Sequence, residues 1–371
     1  MSNEVLTNVP SMTVGKTVDR LATMYSRILL NGYAVKTVPS VMLWGPPGVG
    51  KSQAVRQIAQ KIEKETGKTV HITDVRLLLF NPIDLRGIPT ANAEKTLAIW
   101  LKPQIFQMDD SDSVVNILFL DEISAAPQSV QAAAYQITLD RVVGEHRLPD
   151  NCIVMAAGNR TTDKSVAYKM PKALANRLLH IEVEGNFDSW KAWAIQSGIN
   201  DKVVGFLSFR QSHLMGFDAA SEELAFPTPR SWEMVSNLLN TVCDDVEAMY
   251  PLISGLVGTG VAIEFCTWAT VYKDLPDMEE VFDGRTSKIP QTADALYALT
   301  SSMVAYARNH KDDMGRIAHS IAYADKLPPD FSMVVMKDYM YIEPGYKDKL
   351  LSVPEFARWL STKGSMLNGI K

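Results

Sequence analysis

The sequence predicts an α/β domain built on a parallel sheet, followed by a region that is helical throughout. Three observations carry this expectation. Short, almost uninterrupted apolar runs alternate with helically spaced stretches up to about residue 185. A glycine-rich octet, GPPGVGKS at 45–52, lies between one such run and one such helix. From about residue 186 the strand signals stop and helical periodicity alone remains.

In chain order, residues 14–31 read as an opening amphipathic helix. SVMLW (40–44) is the first apolar run, and VHITDV (70–75), NILFL (116–120), CIVMAA (152–157) and LLHIEV (178–183) follow. Runs without alternation suit parallel strands covered on both faces. After the octet, Ala54, Val55, Ile58, Ala59 and Ile62 fall on one helical face, and Gly67 is a C-cap candidate. MPKALANR reads as a short helix opened by Pro171. Beyond it, FDSWKAWAIQSG, KVVGFLSFRQSHL and SWEMVSNLLNTVCDDV carry helical spacing. The expected domains are 1–185 (nucleotide-type α/β), 186–272 (helical lid) and 273–371 (mainly helical, of unassigned role).

Composition narrows the function classes. The 371 residues are 46% hydrophobic and 21% charged with a net charge of −5, so no electrostatic footprint for nucleic acid or an anionic membrane is present. Cys152, Cys243 and Cys266 are far apart and suit a reducing cytosol, and the six histidines show no metal spacing. The N-terminal stretch lacks a basic segment followed by an apolar core, so a cytoplasmic location is expected. Residues 253–272 are long enough to span a bilayer, yet Glu264 near the middle would cost about 2.5–3.5 kcal/mol. A buried helix is expected there instead.

The octet matches G-x-x-x-x-G-K-[ST] at Gly45, Gly50, Lys51 and Ser52. Glycines let backbone N–H groups crowd an anion, and a helix N-terminus behind them favours phosphate. Gly45, Pro46, Pro47, Gly48, Val49, Gly50, Lys51, Ser52 and Gln53 are therefore the nucleotide-binding candidates. Lys51 would reach the β- and γ-phosphates, and Ser52 would ligate Mg2+. NILFLDE delivers Asp121 and Glu122 at a strand end. Asp121 would hold the metal and Glu122 would activate water, although an acidic N-cap for the next helix explains them equally simply. CIVMAAGNR ends in Asn159, an amide able to orient that water or touch the γ-phosphate. Arg177 follows a short helix, where a cation is favourable in any case. Arg230 sits in the first turn of a helix capped by Thr228 and Pro229, where a cation opposes the dipole. A compensating anion is expected, either the γ-phosphate or Glu222 or Glu223. No N-K-x-D sequence is present, so adenine is favoured over guanine.

GPPGVGKS, NPIDLRGIP, LFLDEISAAPQSVQAAAYQITLD, AAGNR, PKALANRLLHIEV and PTPRSW together resemble the MoxR branch of AAA+ ATPases, near the CbbQ and dynein-related groups. The resemblance spans roughly residues 35–240, and P-x-D-L-x-G is what points to this branch. It implies ATP and Mg2+ as ligands and a homo-oligomeric ring, a hexamer by family habit. It implies that the ring remodels or activates a client protein, in family members often of the von Willebrand factor A type. It gives Asn159 a sensor 1 role, Arg230 a sensor 2 role and Arg177 the role of a finger reaching the neighbour's γ-phosphate. Insertions corresponding to 83–103 and 141–148 face the ring centre in family members; two ordinary surface hairpins are the alternative. Many members carry proline after the sensor asparagine where this chain has Arg160, so a second arginine competes for the finger role. Two rival functions stay open at this level: a DNA-handling AAA+ helicase or translocase, and a small-molecule P-loop kinase.

Overall fold

The structure, a computed structural model, describes residues 9–160, 170, 172–216 and 223–364. The chain divides into two compact units, 1–186 and 187–371. In the first unit, strands β1 (Ser11–Thr13), β2 (Val41–Trp44), β3 (Thr69–Arg76), β6 (Val114–Asp121), β9 (Cys152–Gly158) and β10 (Leu179–Glu184) form one sheet in the order β1-β10-β2-β9-β6-β3. All five ladders are parallel. Two hairpins, β4 (Ile88–Ala91) with β5 (Ala98–Leu101) and β7 (Val142–Val143) with β8 (His146–Arg147), stand apart from it.

The apolar runs explain the strand order. Every residue of β9 is buried, and so are Val41, Met42 and Leu43 of β2 and Val114–Leu120 of β6. Only strands covered on both faces tolerate such sequences. The expectation fails for β3, which is mostly exposed. It is the sheet edge, and its polar residues Thr69, His71, Thr73 and Asp74 suit an edge rather than a core position. The three-residue β1 was not foreseen. Helices α1 (Val14–Leu30) and α2 (Lys51–Thr66) pack on one another, and Gly67 ends α2 with φ 69°. Helices α3 (Pro82–Arg86) and α4 (Gln128–Asp140) pack together. Helix α5 (Lys172–Ala175) is the short one expected before β10, although Pro171 lies outside the described residues.

Both segments singled out at 83–103 and 141–148 are hairpins, and they dock on each other. His146 Nε2 is 2.7 Å from the Trp100 carbonyl oxygen. A Cβ at Gly144 would lie 2.4 Å from the Arg86 carbonyl oxygen, so only glycine permits the approach. Ile88, Leu97 and Leu101 remain exposed on the larger hairpin.

The second unit is helical: α6 (Phe187–Ser197), α7 (Asp201–Phe209), α8 (Pro229–Thr241), α9 (Tyr250–Val257), α10 (Thr259–Ala269), α11 (Met278–Phe282), α12 (Ala293–Asn309), α13 (Met314–Ala324), α14 (Pro329–Tyr339), α15 (Tyr346–Leu351) and α16 (Pro354–Lys363). One apolar core gathers around Phe206, Trp232, Phe265 and Trp268, another around Phe282, Met303, Tyr339 and Phe356. Helix α12 packs on both α7 and α14 and so joins them. The single buried helix expected over 253–272 is broken at Gly258, whose φ of 87° ends α9 and opens α10. Helix α10 is buried on one side only: Ala262, Phe265 and Trp268 are covered, while Ile263 and Glu264 are exposed, the latter against His213. Among the described residues no helix is long and apolar enough to cross a membrane.

Candidate active site

Strand register assembles the site. Trp44 lies opposite Gly158, and Leu120 opposite Ala156. Residues 45, 121–122 and 159 therefore leave the sheet along one edge, at the carboxyl ends of β2, β6 and β9. Ligands of open α/β sheets bind at that edge.

The octet is built for close backbone approach. Gly45 has φ 153°, and a Cβ there would lie 2.7 Å from the Val183 carbonyl oxygen. Gly50, with φ 105°, is the N-cap of α2, so the loop runs straight into a helix N-terminus. Pro46, Pro47, Gly48 and Val49 form the loop between, and Gln53 lies in the first turn of α2. Lys51 is buried, and its Nζ donates to Gly45 O (2.6 Å), Pro46 O (3.0 Å) and Asn159 Oδ1 (3.0 Å). Ser52 Oγ donates to Asp121 Oδ2 at 2.8 Å. The candidates thus form two hydrogen-bonded sets side by side: Lys51 with Gly45, Pro46 and Asn159, and Ser52 with Asp121.

Glu122 stands beside these sets in an unusual backbone state. Its φ is 59°, in the left-handed region, which costs a non-glycine residue of order 1–3 kcal/mol. Its N–H donates to Asp121 Oδ1 (2.9 Å), and the next N–H, of Ile123, returns to the Ala157 carbonyl (2.9 Å). The chain hooks sharply at the strand end, so Glu122 is not a simple helix cap: α4 begins six residues later, at Gln128.

Asn159 is held from behind. Its N–H donates to Ser124 Oγ at 2.9 Å, and a Cβ at Gly158 would lie 2.8 Å from Met42 Cε and 2.9 Å from that hydroxyl. Arg160 turns inward: its Nη1 meets Glu182 Oε1 at 2.6 Å, and both side chains are largely buried. Arg177 is exposed in the turn between α5 and β10. Arg230 lies in the second unit, exposed at the second position of α8, under a Thr228 cap that accepts from Ser231 N. Among the described residues Arg230 pairs with no carboxylate; Glu222 lies outside them.

Several polar groups were missed in the sequence. Ser124 and Glu182 buttress Asn159 and Arg160 from sites distant in the chain. On β3, the Asp74 carboxyl is pushed up from its ordinary range by partial burial and then by the nearby Asp121 charge. No spacing links these residues to the motifs, so no sequence signal marks them.

The donor set fits Mg2+. Ser52 and Asp121 offer two hard oxygens, and no cluster of three or more His, Cys, Asp or Glu occurs among the described residues. Mg2+ is held by one or two protein oxygens, with phosphate and water completing the octahedron.

Residues 40–180 match the family described as ATPase family associated with various cellular activities (AAA). By this match the first unit carries an AAA-type ATPase domain, and the chain is an ATPase. No curated protein matches the chain. Among solved structures, PCH-2 of C. elegans is 11% identical with a TM-score of 0.35, over 70% of this chain and 69% of its own. A proposed ATPase of Cytophaga hutchinsonii is 18% identical with a TM-score of 0.30, over 87% and 83%. A RuvB variant of Thermotoga maritima is 14% identical with a TM-score of 0.35, over 80% and 86%. Likenesses this loose carry no argument about function or assembly.

Proposed function

We propose that this ATPase is a MoxR-type AAA+ motor that works as a homo-oligomeric ring, a hexamer, and remodels or activates a partner protein. The carrying observation is the pair of contacts Lys51–Asn159 and Ser52–Asp121 gathered beside the adjacent ends of β2, β9 and β6, with Glu122 hooked next to Asp121. Lys51 exchanges its carbonyl partners for phosphate oxygens as ATP enters, which gives the ammonium charged in place of neutral acceptors. Ser52 and Asp121 would hold Mg2+, which would supply neutralisation of phosphate charge. Glu122 takes the proton of the attacking water, and Asn159 orients that water.

Arg177 supplies the remaining cation from a neighbouring subunit. Its exposure supports this assignment, as does the commitment of the competing Arg160 to Glu182 within its own chain. Arg230, unpaired among the described carboxylates at a helix N-terminus, reads nucleotide state through a lid over 186–272. Residues 273–371 make up a third region of unassigned role. The client is a protein, with the von Willebrand factor A type as the family's usual choice, and the work is cytoplasmic. The docked hairpins at 83–103 and 141–148 are its contact elements.

Glu122→Gln in excess ATP tests this. Turnover should fall about 100-fold or more, the scale of a lost general base, with ATP still bound. The trapped ring should retain its client in a pull-down. A pull-down that yields DNA alone favours the translocase reading, and a phosphorylated small molecule made without ring formation favours the kinase.

A further inference from the structure

The residue that precedes the phosphate loop is wired to the turn that carries Arg177. Trp44 ends β2, and its indole Nε1–H donates to His180 Nδ1 at 2.9 Å. The two ring planes are only 18° apart, the geometry of an in-plane hydrogen bond. Because Nδ1 accepts, the imidazole proton sits on Nε2. Nε2 lies 2.7 Å from the carbonyl oxygen of Ala175, which closes α5. The Leu178 N–H reaches the same oxygen at 3.2 Å, and the Leu179 N–H is held by Ser40 O at 3.0 Å. Asn176 and Arg177 are the exposed residues of a turn pinned at both ends. On the other side of Trp44, the Gly45 carbonyl accepts from Lys51 Nζ at 2.6 Å.

A residue that only filled space at 180 would need neither bond. Imidazole is instead a rigid spacer that accepts on one side and donates on the other, and both capacities are used. We propose that His180 is a positioning residue. It ties the Arg177 turn to the end of β2, so the arginine that a subunit offers its neighbour is held against the cradle strand of its own chain. This rests on the assignment above, that Arg177 acts across a subunit boundary.

Chain mixing separates the two claims. Lys51→Ala chains have no working cradle but offer an intact arginine; Arg177→Ala chains have the reverse. Their mixture should recover part of the ATPase activity, because some interfaces join the two intact halves. If this control mixture stays silent, the assignment of Arg177 fails, and the proposal fails with it. With the control active, His180→Ala is placed on one side at a time. On the arginine-offering chain (with Lys51→Ala) it should lower the recovered activity about tenfold, the scale of one or two hydrogen bonds. On the cradle chain (with Arg177→Ala) it should change activity by less than about twofold. Equal losses from both sides, or no loss from either, overturn the proposal. Each chain's unfolding midpoint is measured alongside. Should His180→Ala not fold, His180→Gln and His180→Asn carry the comparison. Glutamine extends an N–H toward the Ala175 carbonyl and should keep the recovered activity on the arginine-offering side. Asparagine keeps the near acceptor for Trp44 alone and should not. The opposite ranking overturns the proposal.

Discussion

Both units bury charge, but they use it differently. In the first, Lys51 and the Arg160–Glu182 pair lie at or beside the strand ends where ligands of open α/β sheets bind. In the second, Lys191 of α6 and Asp338 of α14 form a 2.5 Å ion pair, both side chains almost wholly enclosed. Nearby, Ser302 of α12 donates to Asp201 of α7 at 2.8 Å, and Tyr272 shares a 3.0 Å hydrogen bond with Ser301. Burial pushes the Asp201 and Asp338 carboxyls upward, against the pull of Ser302 and Lys191 respectively. These groups clasp helices. Buried charge therefore marks a reaction site only where the fold opens an edge beside it; inside a helical core it fixes packing.

Substitutions can break or sharpen that contrast. The largest effect is expected at Arg177→Ala: turnover lower by ~10³ or more with nucleotide affinity and thermal stability unchanged, because the side chain is exposed. Steady-state ATPase assays, nucleotide titration and melting check it; a destabilised protein with ordinary turnover per folded molecule would make the arginine structural. Lys191→Met should show the reverse profile. Leaving Asp338 buried without its partner costs about 3–5 kcal/mol, and adding Asp338→Leu should return most of it. Denaturant unfolding reads both values. Had Lys191→Met left stability intact, the clasp would carry no weight.

Glu122→Gly sharpens the contrast at a smaller scale. Glycine tolerates φ 59°, so stability should rise by up to about 1 kcal/mol while hydrolysis is lost as with glutamine. A stable, inactive protein would show that the backbone hook is strained for the sake of the carboxylate. A less stable one would mean that the hook fits glutamate without strain.

The first unit was the more legible of the two. Strands that are buried on both faces and end in a glycine, an Asp–Glu pair or an amide announce themselves, so the ends of β2, β6 and β9 could be placed. The edge strand β3 could not be told from a core strand, since VHITDV carries enough apolar residues for either position. Three-residue β1 has no periodicity to detect. Glu182 was hidden because its partner is 22 residues away and reaches it only through the strand order. His180 was hidden similarly: a histidine at a strand start has many readings until Trp44, 136 residues distant, is seen beside it. In the second unit, Gly258 inside an apolar stretch was absorbed into one helix, because a single glycine stops a helix only when its φ turns positive.

Lys51→Ala is the most direct test of the nucleotide site. The lysine bonds both the loop carbonyls and Asn159, and alanine removes the ammonium that makes those bonds. Titration with a fluorescent ATP analogue, run beside circular dichroism and thermal melting, should show a folded protein that no longer binds nucleotide. A folded variant that binds the analogue with wild-type affinity would contradict the account.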